Sequence, residues 1–254
     1  MEKINRFFQR IGMDPDTPIL YTEDFLSRVQ LHCVLHIPYE NLDILDHRPL
    51  ELAPEALYEK IVLHGRGGYC FELNGLLTHM LKTMGFTVSE RFARFLRGEA
   101  EVPMRRHRVT IVHMADADYF CDIGVGQIAP RLPLRVEEDT IQTQNGETYR
   151  FTRDPRHGWI LWELYHGEWR EYLCFNNDEV FDVDFLQPSF YCENHPSSPF
   201  NKGYMLAIKT VTGRRTIDKR CYKVFEGETL VHIEEDLSDE RLHSLFANEF
   251  HLTL

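Results

Sequence analysis

Residues 65–74 read Gly-Arg-Gly-Gly-Tyr-Cys-Phe-Glu-Leu-Asn and join a glycine-rich loop to a helical pattern. Three glycines within four residues allow the backbone to adopt positive φ angles and to approach neighbouring groups closely. Apolar side chains then recur with helical spacing as far as Met84, and Gly85 is typical of the residue that follows a helix end. The segment therefore predicts a helix that begins near Cys70 and carries this cysteine at its N-terminus.

A cysteine in this position can serve as a nucleophile. The N-terminus of a helix carries about half a positive charge and several unpaired N–H groups. We expect both to lower the pKa of the Cys70 thiol below its usual value of ~8.5 and to favour the thiolate. Free cysteines are also common as small buried core residues, so the local pattern alone leaves both interpretations open.

A nucleophilic thiol needs a base, and the base needs a group that orients it. His107 begins one strand-like run, and Asp122 ends another just before Gly124. If the two runs are neighbouring strands, the imidazole and the carboxylate come within hydrogen-bonding distance. We therefore predict a triad of Cys70, His107 and Asp122. The chain order Cys, His, Asp occurs in several thiol enzymes, so it indicates acyl chemistry on a cysteine and leaves the substrate open.

The periodicity of the chain changes after Gly85. Before it, apolar residues follow helical spacing in several segments, one of which begins at the predicted N-cap Thr22 and ends at Pro38. After it, runs rich in Val, Ile, Phe and Tyr alternate with turn signals. A short helix is predicted over 180–186 and a last one from Ser238. The predicted fold class is α+β: helices, then an antiparallel sheet or barrel, then a mixed end.

The composition is that of an ordinary globular chain, with 43% hydrophobic and 27% charged residues among 254. The formal net charge of −12 argues against a nucleic-acid-binding surface spread over the whole protein. No stretch approaches the ~18 consecutive apolar residues of a membrane span, and the first residues do not resemble a signal peptide. The six cysteines form no C-x-x-C pair, and no group of His, Cys and Asp has zinc-type spacing. We expect a cytoplasmic protein without a metal and without a nucleic-acid or membrane partner.

These segments together resemble the arylamine N-acetyltransferase family. The closest match is to the family's nucleophile segment, which corresponds to residues 66–74. Other matching segments are 37–42, 107–109, 122–126 and 194–200. The resemblance extends from about residue 20 to about residue 215.

The resemblance implies three parts arranged around a Cys-His-Asp core like that of cysteine proteinases. Residues 1–86 form a helical bundle with the nucleophile, 87–190 an antiparallel β-barrel with the His and the Asp, and 191–254 an α/β lid. It implies an acyltransferase of the EC 2.3.1 type, with acetyl-CoA as co-substrate and no metal. The acetyl group moves in a ping-pong reaction through a thioester on Cys70 to an arylamine or arylhydrazine, with His107 as base and Asp122 as its orienting partner.

The resemblance also assigns residues around the triad. Glu40 and Arg66 correspond to a charged pair that braces the active-site loop; without the resemblance they could be an ordinary surface ion pair worth about 0–1 kcal/mol. The resemblance implies that the backbone of Pro103 and Met104 contacts the cofactor. From the residues themselves, Gly124 and Gly126 allow close approach of the pantetheine arm, with Gly126 as the predicted contact, although a lone G-x-G also occurs in tight turns.

Two further features concern the substrates. Val125 stands where the family usually has Phe, and we expect the smaller side chain to widen the cleft. Two basic groups are candidates for the coenzyme A phosphates or for solvated strand edges: Arg94, Arg97, Arg105, Arg106 and Arg108, and Arg214, Arg215, Lys219 and Arg220.

Three alternatives remain open from the sequence. A transglutaminase-like or papain-like thiol hydrolase uses the same triad order, although such enzymes usually have Trp beside the cysteine, where this chain has Phe71. A non-catalytic binding protein on the same fold is the second. The third is an acyltransferase that uses another acyl group or another acceptor.

Overall fold

The computed structural model describes residues 1–253, and this part of the chain contains seven α-helices and twelve β-strands. The helices are α1 Glu2–Arg10, α2 Glu23–His36, α3 Leu42–Leu45, α4 Pro54–Tyr58, α5 Cys70–Thr83, α6 Leu186–Asn194 and α7 Asp239–Asn248. The strands are β1 Thr87–Phe95, β2 Arg105–His113, β3 Asp118–Cys121, β4 Leu134–Arg135, β5 Gln142–Gln144, β6 Glu147–Asp154, β7 Gly158–Tyr165, β8 Glu168–Phe175, β9 Met205–Lys209, β10 Gly213–Asp218, β11 Cys221–Glu226 and β12 Thr229–Glu234. The predicted α+β class is confirmed. No helix in residues 1–253 combines the length and the apolar character needed to cross a bilayer.

Capping residues, proline and glycine mark the ends of helices α2 and α5. The Thr22 hydroxyl caps α2 by accepting a hydrogen bond from the Phe25 N–H at 3.3 Å, and the helix ends before Pro38. Helix α5 begins at Cys70, and Gly85 follows its end with φ +95°, as its sequence predicts. Since α5 is buried on nearly every side, it forms the centre of the main hydrophobic core.

The first eight strands form one antiparallel sheet with the order β4-β3-β2-β1-β8-β7-β6-β5. The two outermost strands are joined through side chains rather than through a backbone ladder. Gln142 accepts from the Arg135 N–H at 2.7 Å and donates to the Arg135 carbonyl at 2.9 Å. Gln144 makes the same pair of bonds with the backbone of Leu132. Two glutamines therefore close the sheet into a barrel.

The last four strands form a second antiparallel sheet with the order β12-β11-β10-β9. One face, which includes Leu206, Ile217 and Tyr222, packs against α7 in a core of its own. Because side chains alternate along a strand, Thr216 and Lys223 lie on the opposite face, toward the rest of the molecule.

The structure differs from the predicted elements at two places. The predicted helix over 180–186 is wrong: a 3₁₀ turn occupies Asp182–Phe185, and α6 begins at Leu186. The carboxylate of Asp184 accepts from the Phe181 N–H at 2.9 Å, and the buried Phe185 ring anchors the turn to the core. Strands β4, β5 and β10 were not predicted, because they are short or carry mainly polar residues.

The division at 1–86, 87–190 and 191–254 stays a prediction. The main core contains Phe71, Val112 and Cys192, one from each of the three ranges. The parts of the chain therefore share buried apolar contacts rather than packing as separate units.

Candidate active site

The structure brings the three residues of the predicted triad into one buried region. Cys70 is the first residue of α5, His107 lies in β2, and Asp122 directly follows β3. Strands β2 and β3 are antiparallel neighbours, as the sequence argument requires. All three residues are buried, and Asp122 has no exposed surface.

The Asp122 carboxylate is fixed by three donors. His107 Nε2 lies 2.7 Å from Asp122 Oδ2. The other oxygen, Oδ1, accepts from Asn74 Nδ2 at 2.8 Å and from the Gly124 N–H at 2.8 Å. Asn74 is fixed in turn, because its Oδ1 accepts from the Ile123 N–H at 2.9 Å. With Nε2 bound to the carboxylate, Nδ1 is the ring nitrogen left for the nucleophile.

Asn74 is a site residue that sequence reasoning missed. It lies four residues after Cys70 in α5, so both side chains lie on the same face of the helix. Its Nδ2 also donates to the Arg108 carbonyl of β2 at 2.5 Å. One amide therefore joins the nucleophile helix to the strand that carries His107 and to the loop that carries Asp122.

The expectation of a lowered thiol pKa is wrong for Cys70. Burial raises the pKa of this thiol well above its usual value, and the Asp122 carboxylate acts in the same direction. The Phe71 N–H at the helix start lowers the pKa, as the helix argument predicts, but its effect is smaller. The Cys70 thiol lies 3.8 Å from the Arg106 carbonyl oxygen. Burial therefore disfavours an isolated thiolate at Cys70 and favours transfer of the thiol proton to a base inside the site.

Cys70 and His107 open into one cavity of about 440 Å³ between the barrel and the second sheet. Its remaining walls are mainly apolar and come from the 124–127 loop, from strands β9, β10 and β11, and from the aromatic residues Tyr39, Phe95 and Phe200. Val125 lies in this wall, as expected if its side chain sets the width of the cleft. A mainly apolar cavity beside a nucleophile is suited to a small aromatic molecule or an acyl chain.

Glu40 and Arg66 form the predicted pair, with Arg66 Nη2 at 2.9 Å from Glu40 Oε1. The same Arg66 nitrogen lies 3.0 Å from Asp43, and Lys60 joins Asp43 to Glu72 at 2.6 and 2.7 Å. Because Glu40 is buried and the Arg66 side chain is only 13% exposed, the Glu40–Arg66 pair is not an ordinary surface ion pair. Its bracing function stays a prediction.

This chain of charges ends at the nucleophile helix. The second oxygen of Glu72 accepts from the Tyr69 N–H at 3.1 Å, one residue before Cys70. Burial raises the pKa of the Glu72 carboxyl, while the Lys60 ammonium opposes that rise. Sequence reasoning missed Asp43, Lys60 and Glu72, because they come together only when the helices pack.

Gly67 and Gly124 are required for close approach rather than for their φ angles. A Cβ on Gly67 would collide with the Pro38 carbonyl oxygen, and residues 38–40 run beside the loop. A Cβ on Gly124 would lie 2.8 Å from both Asn74 and the Cα of Cys70. Gly124 therefore allows the Asp122 loop to contact the nucleophile helix.

The residues assigned to cofactor contact lie in different places. Gly126 lines the cavity of Cys70, whereas Met104 lines a second cavity of about 590 Å³ on the other side of Arg106. The Pro103 carbonyl accepts a hydrogen bond from Arg94. Their contact with a cofactor stays a prediction.

Most of the basic residues in the two predicted clusters already have acidic partners. Arg97 pairs with Glu163 at 2.7 Å, and Arg215 pairs with Glu249 at 2.8 Å. Arg108 is fully buried, paired with Glu90 and Asp182 and packed over the Phe185 ring. Arg106 is the member of the first cluster that reaches the cavity of Cys70. Within residues 1–253, no group of three or more His, Cys, Asp or Glu residues is placed to hold a metal ion.

Fold and site together are typical of enzymes that carry an acyl group on a cysteine. A family model described as N-acetyltransferase matches residues 23–254. The arylamine N-acetyltransferase of Mycolicibacterium smegmatis is 34% identical over 258 residues, which cover 98% of this chain and 91% of that protein. This chain therefore belongs to the arylamine N-acetyltransferase family, as its sequence motifs predict.

Solved structures agree with this assignment. The arylamine N-acetyltransferase from Salmonella typhimurium has a TM-score of 0.94 at 28% identity, covering 100% of this chain and 92% of that one. The enzyme from Mycobacterium marinum, solved in complex with CoA, has a TM-score of 0.91 at 27% identity, covering 98% and 93%. The chain is thus an acetyltransferase, and the family favours acyl transfer over the thiol-hydrolase and binding-protein alternatives.

Proposed function

We propose that this protein transfers an acetyl group from acetyl-CoA to an arylamine or arylhydrazine by a ping-pong reaction on Cys70. The observation that carries the proposal is the 2.7 Å hydrogen bond between His107 and Asp122 beside the same cavity as Cys70. The apolar cavity suits an aromatic acceptor. Membership of a family whose relatives bear this name and include a CoA complex supports the substrate pair.

In the first half-reaction, the Cys70 proton moves to His107 Nδ1, and the thiolate attacks the carbonyl carbon of the thioester. The bond to the coenzyme A sulfur breaks, and this sulfur takes the proton from His107. Because one thioester replaces another, the acetyl group on Cys70 remains activated. Asp122 holds the imidazole in place and stabilises its protonated form.

In the second half-reaction, the amine nitrogen attacks the acetyl carbon on Cys70. His107 takes the amine proton, a contribution that is typically ~10²–10⁴-fold, and Cys70 leaves as a thiolate. Arylamines are weak bases and are neutral at pH 7, whereas alkylamines are protonated and lack the lone pair. We therefore expect aromatic acceptors to be preferred.

A mass measurement tests the proposal. The protein is mixed with acetyl-CoA without amine, and the intact mass of the wild type is compared with that of Cys70→Ala. We expect one acetyl adduct on the wild type, none on the variant, and loss of the adduct when an arylamine is added. An adduct that water removes as fast as the amine does would indicate a hydrolase instead. A wild type that takes up no acetyl group would refute the proposal.

We also propose a cytoplasmic location, where a catalytic thiol stays reduced. All six cysteines are free in the structure, which supports such a location. The expected lack of nucleic-acid and membrane partners stays a prediction.

A further inference from the structure

A small pocket away from Cys70 is lined by basic side chains. It has a volume of about 100 Å³ and lies where the ends of β1 and β8, the start of β2 and the turn between β6 and β7 meet. Its polar wall consists of Arg94, Arg105, Arg156, His157 and Asn176. Among residues 1–253, no acidic side chain forms part of this wall, although the chain has a net charge of −12. Such a concentration of positive charge attracts anions.

This pocket and the catalytic cavity lie on opposite faces of β1. Ala93 packs in the barrel core, and Phe95 lines the catalytic cavity. Because successive side chains of a strand point to opposite faces, Arg94 points away from that cavity. Within residues 1–253, the walls of the pocket and of the catalytic cavity have no residue in common. A ligand of the pocket therefore occupies a place of its own.

The arginines of the pocket are poorly neutralised by the protein. Within residues 1–253, Arg94 and Arg156 have no acidic partner within 4.0 Å, and Arg94 donates instead to the neutral Pro103 carbonyl. Arg105 pairs with Asp178 at 3.2 Å, but the two side chains are 42% and 61% exposed, so solvent weakens this pair. Three guanidinium groups therefore repel one another across one small space. An anion in the pocket removes this repulsion.

The size and the donors of the pocket indicate which anion fits. A volume of about 100 Å³ is the space of roughly three water molecules at ~30 Å³ each, which suits one small ion rather than a whole nucleotide. A guanidinium group binds phosphate oxygens with two parallel hydrogen bonds. A phosphate group carries a charge of about −1.5 to −2 at pH 7 and offers three acceptor oxygens, so it matches several arginines better than a carboxylate does.

His157 supplies a further donor in the same wall. Its Nδ1 lies 3.8 Å from the Cys174 sulfur, a weak partner that is itself part of the pocket. Nε2 is therefore the ring nitrogen left for a ligand. Since the ring lines the pocket directly, its signals report on what binds there.

We propose that this pocket binds a phosphate group, separately from the substrates of acyl transfer. The group is either inorganic phosphate or the phosphate of a larger monoester. The cavity of about 590 Å³ beside Met104 shares Phe92 and Arg105 with the pocket, so it offers room for the rest of a monoester. The inference does not rest on the proposed function, because it concerns binding outside the catalytic cavity.

An NMR titration with inorganic phosphate tests the proposal. The ring proton of His157 is followed at constant pH and ionic strength, which keeps the screening of charges equal throughout. Its signal is assigned by its absence from His157→Gln. The proteins compared are the wild type, Arg94→Met, Arg156→Met and the control Arg28→Met. Arg156 and Arg28 are both exposed, so either change should leave the fold intact, and Arg28→Met removes the same charge from α2, outside the pocket.

We expect a saturable shift of the His157 signal in the wild type. Arg94→Met and Arg156→Met should each raise the Kd of phosphate about tenfold, or ~1.4 kcal/mol, and Arg28→Met should leave it unchanged. Acetate, with a single charge, should bind more weakly than phosphate. A shift that does not saturate, or one Kd shared by all four proteins, would overturn the inference.

Two further titrations identify the source of the phosphate. Phenyl phosphate that binds at least tenfold more tightly than inorganic phosphate would assign the pocket to a monoester, and equal or weaker binding would assign it to the free ion. The phosphate titration is also repeated with coenzyme A present, and we expect the same Kd. Displacement of phosphate by coenzyme A would make the pocket part of the cofactor site and would refute a separate site. Binding is measured without turnover, so failure of the proposed acyl transfer leaves this test unaffected.

Discussion

Replacing Asp122 by Asn tests the geometry of the site most directly. Oδ1 of Asp122 accepts from Asn74 Nδ2 and from the Gly124 N–H, each at 2.8 Å. In Asp122→Asn, the amide oxygen must occupy this position, because an amide NH₂ there would face two donors at a cost of about 1–3 kcal/mol for each. The NH₂ group then points at His107 Nε2, where the carboxylate oxygen lies 2.7 Å away in the wild type.

This orientation fixes the wrong tautomer of His107. Nε2 becomes the acceptor, so the proton of the neutral ring moves to Nδ1, the nitrogen that must take the Cys70 proton. The carboxylate charge that stabilises the imidazolium is also lost. We expect Cys70 acylation to slow by about 10²–10⁴-fold, or roughly 2.7–5.5 kcal/mol in activation free energy.

The assay is single-turnover acylation by acetyl-CoA, followed by intact mass. Asn has nearly the same shape as Asp, and its oxygen keeps the bonds from Asn74 and Gly124. We therefore expect the midpoint of thermal unfolding to change by no more than about 4 °C. Asp178→Asn, an exposed substitution of the same kind, serves as the control. If folded Asp122→Asn retains more than about a tenth of the wild-type rate, the tautomer argument is wrong.

Three further predictions concern the thiol, the barrel and the charge network. His107→Ala should shift the pH midpoint of Cys70 alkylation by iodoacetamide upward, because burial raises the pKa of this thiol and no base remains; an unchanged midpoint would contradict this. Gln144→Ala should lower the free energy of unfolding in urea by about 1–3 kcal/mol through loss of its bonds across the barrel seam, whereas its exposed neighbour Thr143→Ala should have little effect. Lys60→Met should lower the free energy of unfolding in urea by about 2–4 kcal/mol, because Asp43 and Glu72 lose their shared cation. Lys60→Arg should retain most of the wild-type stability, and equal stability of the two variants would argue against an ionic role.

The sequence predicts that Cys70, His107 and Asp122 lie together because a local pattern fixes the position of each. A helix start positions Cys70, and the ends of two adjacent strands position His107 and Asp122. Asn74 lies within the same motif, yet its partners belong to a strand and a loop that meet α5 only in the folded chain. Its role therefore depends on tertiary contacts that the spacing within one helix does not reveal.

The glutamine bonds that close the barrel and the Lys60–Glu72 ion pair could not be predicted from the sequence for a similar reason. The segment around Gln142 and Gln144 shows no alternation of apolar and polar residues, so nothing in the sequence distinguishes it from a loop. The two side chains act through hydrogen bonds to the backbone of residues 132–135. Lys60 and Glu72 are twelve residues apart, and a charge at either position is typical of a solvated helix face. Only the packing of the helices buries both.

The raised pKa of Cys70 is compatible with its proposed role as a nucleophile because proton transfer within the site creates no net charge. Loss of the proton to solvent would leave an anion in a buried cavity beside the Asp122 carboxylate, which burial opposes. Transfer to His107 instead produces an ion pair whose cation Asp122 stabilises at 2.7 Å. Oxidants and alkylating agents also reach this buried sulfur only through the cavity that it lines. The same burial that overturns the simple helix argument therefore restricts the reactivity of Cys70 to molecules that enter the cavity and reach it beside His107.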